Sequence, residues 1–531
     1  MQFDYIIVGA GTAGCVLANR LSENPQNQIL IIEAGMDNRD PRIEMPSAYS
    51  TLNHSYLNWN FYTEPQKHVN HRRLYQPRGK AIGGSGMINC MAYIRGNKED
   101  YNHWAKMGCD GWDYENMLPY FIKSENNQTW NNKYHGQNGP MTISHSQNES
   151  LFGNAFLAAC VENGIPLNED FNGEKQNGAG FFQFNIENGV RCSTAKAFIQ
   201  PILNRKNLHI LTQFHVSKIN FNNNQAIGID GFKHGSKVVQ SFECEKEIIL
   251  SAGAFQSPQL LLLSGIGDKN YLKGLSIDSR IDLPGVGQNL SDHVFVNMNT
   301  EASTKGLSYN TVINAPNFIE YLFKKSGILA SSPLEGCAFL DTLNHSDEPD
   351  IQFHFSSAWA QDIHHFNKRP LSDGYTILPT LLKPKSRGSV GLKSSNYFDS
   401  PIIDPQYLSD AKDEDLATLI RGVRKAQEVL NAHAFDPYRK RKNYPSKELV
   451  SDDEIAEHIR ESLECVYHPV GTCQMGIGKD AVTDPKTLKV YGTEGLRVAD
   501  ASIMPDLTSG NINATVVAIA EKLADEVRGK R

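Results

Sequence analysis

The chain opens on a unit that leaves few folds available: "FDYIIVGAGTAGCVLANRLSENPQNQILIIEAG". "YIIV" is a short β-branched apolar run of the kind a buried parallel strand needs. Gly9-x-Gly11-x-x-Gly14 follows at once, then apolar residues at helical spacing from Cys15 to Leu21, then a second strand-like run, "QILIIE", ending at Glu33. Gly9 allows the tight turn, Gly11 lets backbone approach a pyrophosphate, and Gly14 lets the helix pack close to the strand. The helix N-terminus offers free N–H groups and the positive end of its dipole to phosphates. Glu33 can accept both ribose hydroxyls, and its charge argues against a ribose 2′-phosphate and so against NADP. The motif does not by itself separate NAD from FAD; Glu33-Ala34-Gly35, so near the start, leans towards FAD. A lone glycine motif is a weak signal. Here strand, helix, second strand and acidic residue stand in place around it, which predicts a Rossmann-like nucleotide site.

Length and composition set the frame for the rest. At 531 residues the chain holds about three domains' worth of sequence, at roughly 150 residues each. A formal net charge of −7 argues against a nucleic-acid partner. The densest basic run, "RKRK" at Arg439 to Lys442, reads as a short solvated turn. Nine cysteines without framework spacing suit reduced thiols in a reducing compartment. A strand begins within the first eight residues, which leaves no space for a signal peptide. No apolar run approaches the roughly 18 residues of a membrane span. The expected location is the cytoplasm. Peripheral attachment to the inner membrane face stays open, because a surface patch leaves little trace in sequence.

Three further stretches carry chemistry. In "RGKAIGGSGMINCMAYIRGNKEDYNHWA", Gly83, Gly84 and Gly86 permit close backbone approach to something flat or charged. "GAFQSPQLLLLSGIG" reads as a strand end, a turn at Ser257-Pro258, a leucine-rich helix and a glycine stop. "ECVYHPVGTCQMG" holds Cys465, His468, Cys473 and Met475, which allows a soft-metal site, a nucleophilic cysteine with a helper histidine, or one histidine doing proton chemistry. Zinc and copper sites favour closer cysteine pairs and a second cluster, and nothing near these thiols would lower their pKa. The expectation is therefore no metal, with the cysteines as buried packing residues. Farther from the glycine motif the βαβ rhythm is lost across 300–400. "DIQFHFSS" and "GSVGLKS" alternate as strands do, and 413–432 reads as an amphipathic helix.

Together with "LRVADASIMPDLTSGNINATVVAIAEKLAD", these segments resemble the glucose–methanol–choline (GMC) oxidoreductase family in order and over essentially the whole chain. "LNWNFYTEPQ", "FNGEKQNGAGFFQ", "KPKSRGSVGLKS" and "DPQYLSD" look most like its bacterial alcohol (alkane-pathway type) and choline dehydrogenases. The resemblance implies an α/β fold (α+β overall). A Rossmann-like FAD-binding domain would come from 1–155, 195–295 and 460–531. A substrate-binding domain on a mixed or antiparallel sheet would come from 156–194 and 296–459. It implies FAD contacts at Gly9, Gly11, Gly14, Glu33 and Ala34 for the ADP half, and at Val216 for the adenine. Gly83, Gly84 and Asn89 would lie near the flavin, with Asp500 and Ala501 at the ribityl–pyrophosphate region. Some members attach flavin covalently through a histidine of the second signature; Asn89 stands there in this chain, which implies non-covalent FAD. Gly86 departs from the family's more usual serine, and Thr515 from a frequent proline.

Oxidising an alcohol with flavin requires a base for the hydroxyl proton and passage of the carbon's hydrogen as hydride to flavin N5; the protein supplies position and proton handling. Histidine, with an unperturbed pKa of about 6.5, suits the base. Of 17 histidines, His468 matches the family's catalytic one, as base or as the group that stabilises a developing alkoxide. Asn513 matches the second catalytic position, with Asn511 in reserve; either would also serve as an N-cap. The helix after it would direct its N-terminus at the flavin's pyrimidine end. The implied activity is FAD-dependent oxidation of a primary alcohol to the aldehyde, with oxygen or a quinone accepting the electrons. Alternatives are choline oxidation, an oxygen-using aryl-alcohol oxidase and, more remotely, a non-redox flavin-containing lyase. Tyr467, Phe355, Trp359 and Glu335 are candidate walls of the substrate pocket.

Overall fold

The computed structural model describes residues 2–530 apart from 38, 147–148, 344, 361–369 and 447. The opening run forms a strand, Gln2–Val8, a helix, Thr12–Leu21, and a second strand, Ile29–Ile32. Ile6, Ile7 and the second strand are buried on both faces, which accounts for the unbroken apolar spelling. Gln2–Val8 pairs in parallel with Ile29–Ile32 on one side and with Val239–Leu250 on the other. Leu208–Leu211 and Leu496–Val498 extend the parallel region at its two flanks. Val239–Leu250 is twelve residues long. Its first part leaves the parallel region and pairs antiparallel with Gln225–Lys233, which in turn pairs with Phe214–Asn222. These seven strands form one sheet.

A second, eight-stranded sheet contains Gly178–Phe181, Met298–Ala302, Leu334–Leu340, Ile351–Ser356, Gly374–Leu381 and Arg439–Tyr444, with the short strands Val294–Phe295 and Glu464–Cys465. Its pairings are antiparallel. The expected amphipathic helix spans Glu414–Asn431 and lays Leu419, Val423 and Ala426 into the core under this sheet. The helix Leu151–Glu162 buries Phe152 and Phe156 in the same core. Residue 155 falls inside this helix, which packs with the second sheet.

Two local expectations need correction. "RKRK" is not a turn: Arg439–Tyr444 is a strand paired with Met298–Ala302. Nor does the chain turn at Ser257-Pro258, because the helix Gly253–Leu263 runs through Pro258. Proline there removes the N–H that would bond the Ala254 carbonyl. Thr472 Oγ1 donates to that carbonyl at 2.6 Å, from 218 residues along the chain. The C-terminal helix Asn513–Val527 closes the fold against Thr12–Leu21. Arg20 grips the buried Glu521 through Nε and Nη2 at 2.9 and 2.6 Å.

Candidate active site

Strand ends of the first sheet and the N-termini of the helices that follow them line one cavity, which also takes in residues of the second sheet. At one end the glycine turn leaves the strand Gln2–Val8. Gly9 has φ +99°, and a Cβ there would sit 2.5 Å from the Ser251 carbonyl oxygen. On Gly14 a Cβ would meet the Gly9 oxygen at 2.0 Å. Gly84 (φ +53°) packs so closely on the first turn that its Cβ would lie 2.7 Å from Gly11 Cα, and Gly83 N–H donates to the Ala10 carbonyl at 2.7 Å. Two glycine-rich segments far apart in sequence are thus interlocked into one floor. The helix Thr12–Leu21 has Gly11 at its N-cap with no side chain over its first N–H groups, and Thr12 and Ala13 line the cavity. That is the arrangement a pyrophosphate needs.

Glu33 is buried, which pushes its carboxyl up, while the N–H groups of Gly35 (2.8 Å) and Ala10 (3.1 Å) hold it down. Each oxygen retains a lone pair for a ribose hydroxyl. Trp59, His215 and Tyr397 line the cavity with it. Asp500 accepts from Gly253 N–H at 2.8 Å and Ser257 Oγ at 2.6 Å, so it ties the turn Ala501–Ile503 to the start of the leucine-rich helix. Among buried polar atoms without a protein partner are Ser251 Oγ, His354 Nε2 and Asn511 Oδ1, and all three residues line the cavity. Donors and acceptors left open on a glycine-floored cavity suit a long ligand with polar groups along it, such as FAD.

His468 stands at the far end, on the turn that follows Glu464–Cys465. Its backbone N–H donates to Asp292 Oδ1 at 2.7 Å, and Tyr467 before it takes φ +68°. Burial, then the neighbouring His293, hold its imidazole well below the usual histidine range, so it is neutral. His293 Nδ1 lies 3.0 Å from His468 Nδ1, and His293 Nε2 lies 3.2 Å from the Leu382 carbonyl oxygen. A carbonyl only accepts, so His293 carries its proton on Nε2. Burial also pushes His293 down to about 3, so its Nδ1 is bare and must accept. His468 then carries its proton on Nδ1 and presents a bare Nε2. The Asn511 amide nitrogen lies 3.3 Å from that Nε2. This is an imidazole with its tautomer fixed from behind and an amide beside it.

The structure separates the two asparagines. Asn513 lines the cavity but turns its Oδ1 to accept from Thr12 Oγ1 at 2.9 Å, whereas Asn511, the reserve residue, reaches His468. Neither is an N-cap; Ile512 holds that position without a side-chain bond. Gly9, Gly11, Glu33, Ala34, Gly84, Asn89, Val216, Asp500, Ala501 and His468 all line the cavity, while Gly14 and Gly83 lie behind its wall. Asn89 Oδ1 is engaged by Arg191 Nη1 at 2.7 Å. Of the expected pocket walls only Tyr467 lines the cavity. Phe355 stacks on Phe156 in the second core, Trp359 donates to the Ser372 carbonyl, and Glu335 accepts from Ser150 Oγ at 2.5 Å. Cys465 and Cys473 are buried, and among the described residues no three side chains group as metal ligands. Sequence reading missed His293 and His354. His293 has no signal in its own stretch, since its role exists only once the fold brings it behind His468.

Comparison with known proteins bears on what this cavity holds. Models of the GMC oxidoreductase family match residues 3–295 and 384–520. The chain is 41% identical over 530 residues to an alcohol dehydrogenase [acceptor] of Pseudomonas putida, covering 99% of this chain and 95% of that one. It is 39% identical to an oxygen-dependent choline dehydrogenase of Sinorhizobium fredii, covering 100% and 96%. A solved structure of Aspergillus oryzae formate oxidase, studied for its FAD modification, superposes with a TM-score of 0.92 at 27% identity, covering 100% of this chain and 98% of that one.

Proposed function

The chain belongs to the GMC oxidoreductase family, and from that premise we propose that it oxidises primary alcohols to aldehydes with FAD bound in the cavity. The observation that carries the mechanism is the bare Nε2 of His468, fixed by His293 and flanked by Asn511. FAD, when bound, supplies the two-electron acceptor for the alcohol's hydride. The chain's own residues do the rest. The interlocked glycine turns and the N-terminus of Thr12–Leu21 hold the phosphates, and Glu33 holds the ribose. His468 Nε2 removes the hydroxyl proton, and the Asn511 amide holds the substrate oxygen through the change of charge. Asn513 supports the floor through Thr12 rather than touching substrate. FAD is held without a covalent bond, since Asn89 offers no nucleophilic ring nitrogen; acid precipitation should release all the flavin, and yellow protein in the pellet would overturn this. The segments 1–155, 195–295 and 460–531 make the FAD-binding domain in this reading, with its first boundary moved to precede Leu151.

An apolar alcohol fits better than choline. Among the described residues lining the cavity the carboxylates are Glu33 and Asp500, both bound to backbone N–H groups away from His468. The apolar part of the cavity wall includes Phe295, Leu334, Leu378 and Val466, the last of them two residues before His468 in the chain. Comparing kcat/KM for a medium-chain primary alcohol and for choline, with a dye as acceptor, tests the assignment. The alcohol should be preferred by more than tenfold, and a preference for choline would reverse it. Oxygen or a quinone takes the electrons onward. The described helices include none long and apolar enough to cross a membrane. A cytoplasmic enzyme attached peripherally to the inner membrane face completes the reading.

A further inference from the structure

His468 is displayed on an irregularity in a two-stranded ribbon. Glu464–Cys465 pairs antiparallel with Val294–Phe295, and Val466 N–H continues the ladder by donating to the His293 carbonyl at 2.9 Å. The ladder resumes at Val470, whose N–H donates to the Ser291 carbonyl at 2.9 Å and whose carbonyl accepts from Ser291 N–H at 3.2 Å. Between these pairs one edge holds only Asp292, while the other holds Tyr467, His468 and Pro469. Three residues against one make a bulge, the device that re-aims a side chain beside a site. It also takes the Tyr467–His468 peptide out of the ladder, so that its C=O and N–H need partners from elsewhere.

Two side chains supply them. Asp292 Oδ1 accepts from His468 N–H at 2.7 Å, and Arg78 Nη2 donates to the Tyr467 carbonyl at 2.6 Å. The two ends of one peptide group are thus held by a carboxyl and a guanidinium, which fixes the peptide plane and with it the direction in which His468 leaves the backbone. Tyr467 takes φ +68°, the left-handed region that a tyrosine adopts only where its surroundings hold it. Asp292 is itself fixed, since it is buried and its Oδ2 accepts from Tyr407 Oη at 3.3 Å. Arg78 comes from the second glycine segment. Its N–H donates to Asn58 Oδ1 at 3.0 Å, its Nε donates to the Pro77 carbonyl, and its guanidinium lies 5.6 Å from the Phe255 ring centroid. The next residue, Gly79, packs so tightly on the second glycine turn that a Cβ would stand 2.1 Å from the Gly84 carbonyl oxygen. One hydrogen bond therefore ties the floor of the cavity to the peptide that presents His468. A catalytic group misplaced by about 1 Å can lose about 10²-fold in rate.

We propose that Arg78 and Asp292 are positioning residues for His468: they stand in for the missing ladder partners of the Tyr467–His468 peptide and register the imidazole against the cavity floor. This rests on the reading of His468 as the base. The test is a double-mutant cycle on the FAD-loaded protein, read as the rate at which saturating 1-butanol bleaches the flavin without oxygen, together with crystal structures of the same proteins. Arg78→Met removes the donor. It should slow bleaching by about tenfold or more in the natural background, with the KM for the alcohol changed by less than about threefold. In the His468→Ala background, where no imidazole is left to position, it should slow bleaching by less than about twofold. Its crystal structure should show Tyr467 out of the left-handed region and His468 Nε2 farther than 3.3 Å from the Asn511 amide nitrogen. Arg78→Lys keeps the charge but ends short of the carbonyl, so it should be slow as well, and it carries the same cycle should Arg78→Met fail to fold. A natural rate in Arg78→Lys would assign the effect to charge and overturn the proposal. Equal slowing in both backgrounds, no slowing at all, or an unmoved imidazole would also overturn it. If 1-butanol bleaches none of the proteins, or bleaches His468→Ala as fast as the natural protein, the reading of His468 as the base falls. The place of the imidazole in the Arg78 variants then decides the proposal by itself.

Discussion

Two imidazoles that meet Nδ1 to Nδ1 at 3.0 Å share one proton when both are neutral, and at this site the Leu382 carbonyl decides which keeps it. His293→Ala removes the acceptor that fixes the His468 tautomer. The expected result is a fall in kcat of at least about tenfold with little change in KM, since a misplaced base loses rate before it loses binding. With His468 as the proposed base, its neutral form is the active one; its pKa is pushed below 6.5, so activity should be lost only as pH falls through that lowered value. The acid limb of kcat/KM should lie below pH 6.5. Asp292, raised to about 7 chiefly by burial, grips the His468 backbone rather than its ring. Asn511→Ala should lower kcat more than Asn513→Ala does, and the reverse order would return the role to Asn513. That His468 lines the cavity was legible because its own motif carries it. The choice between Asn511 and Asn513 was not, because it turns on where a helix starts, and Ile512 rather than an asparagine takes the cap.

At the scale of elements, the glycine unit was readable because strand, turn and helix each spell out their own geometry within 30 residues or so. The helix Gly253–Leu263 was misread at Pro258 because its stability is supplied from elsewhere. Thr472, three residues before Met475 in the histidine motif, satisfies the carbonyl that Pro258 abandons. Thr472→Val keeps the shape and removes the donor, leaving a buried acceptor unpaired. That should lower stability by about 1–3 kcal/mol, read as a lower urea midpoint, with Thr472→Ser restoring most of it. An unchanged midpoint would mean the carbonyl finds another donor. The strand Arg439–Tyr444 was hidden for a related reason: its charges disguise a strand whose pairing partner, Met298–Ala302, lies far back in the chain.

Across the whole molecule, the second sheet carries a buried carboxyl that the chemistry does not use. Burial raises Glu335 to about 7, against which Ser150 donates. A carboxyl whose folded pKa exceeds its unfolded value favours the fold while protonated. That contribution is present below about pH 4.5 and is lost as pH rises to about 7. Glu335→Gln cannot titrate, so its Tm relative to the natural protein should rise between pH 5 and pH 8, by the equivalent of at most about 3 kcal/mol. A difference independent of pH would contradict this. The two-sheet plan was implied by the family resemblance, and the loss of βαβ rhythm across 300–400 agrees with it. The pocket walls were not legible: of the expected residues, Phe355 packs in the second core, Trp359 is tied to the Ser372 carbonyl and Glu335 to Ser150. The central claim, that His468 takes the alcohol's proton in a flavin-dependent oxidation, has one direct measurement. It is the rate at which a primary alcohol bleaches the flavin absorbance without oxygen, for the natural protein and for His468→Ala with FAD retained. The natural protein should bleach, and the variant should be slower by about 10²–10⁴-fold; equal rates, or no bleaching by any primary alcohol, would contradict the account.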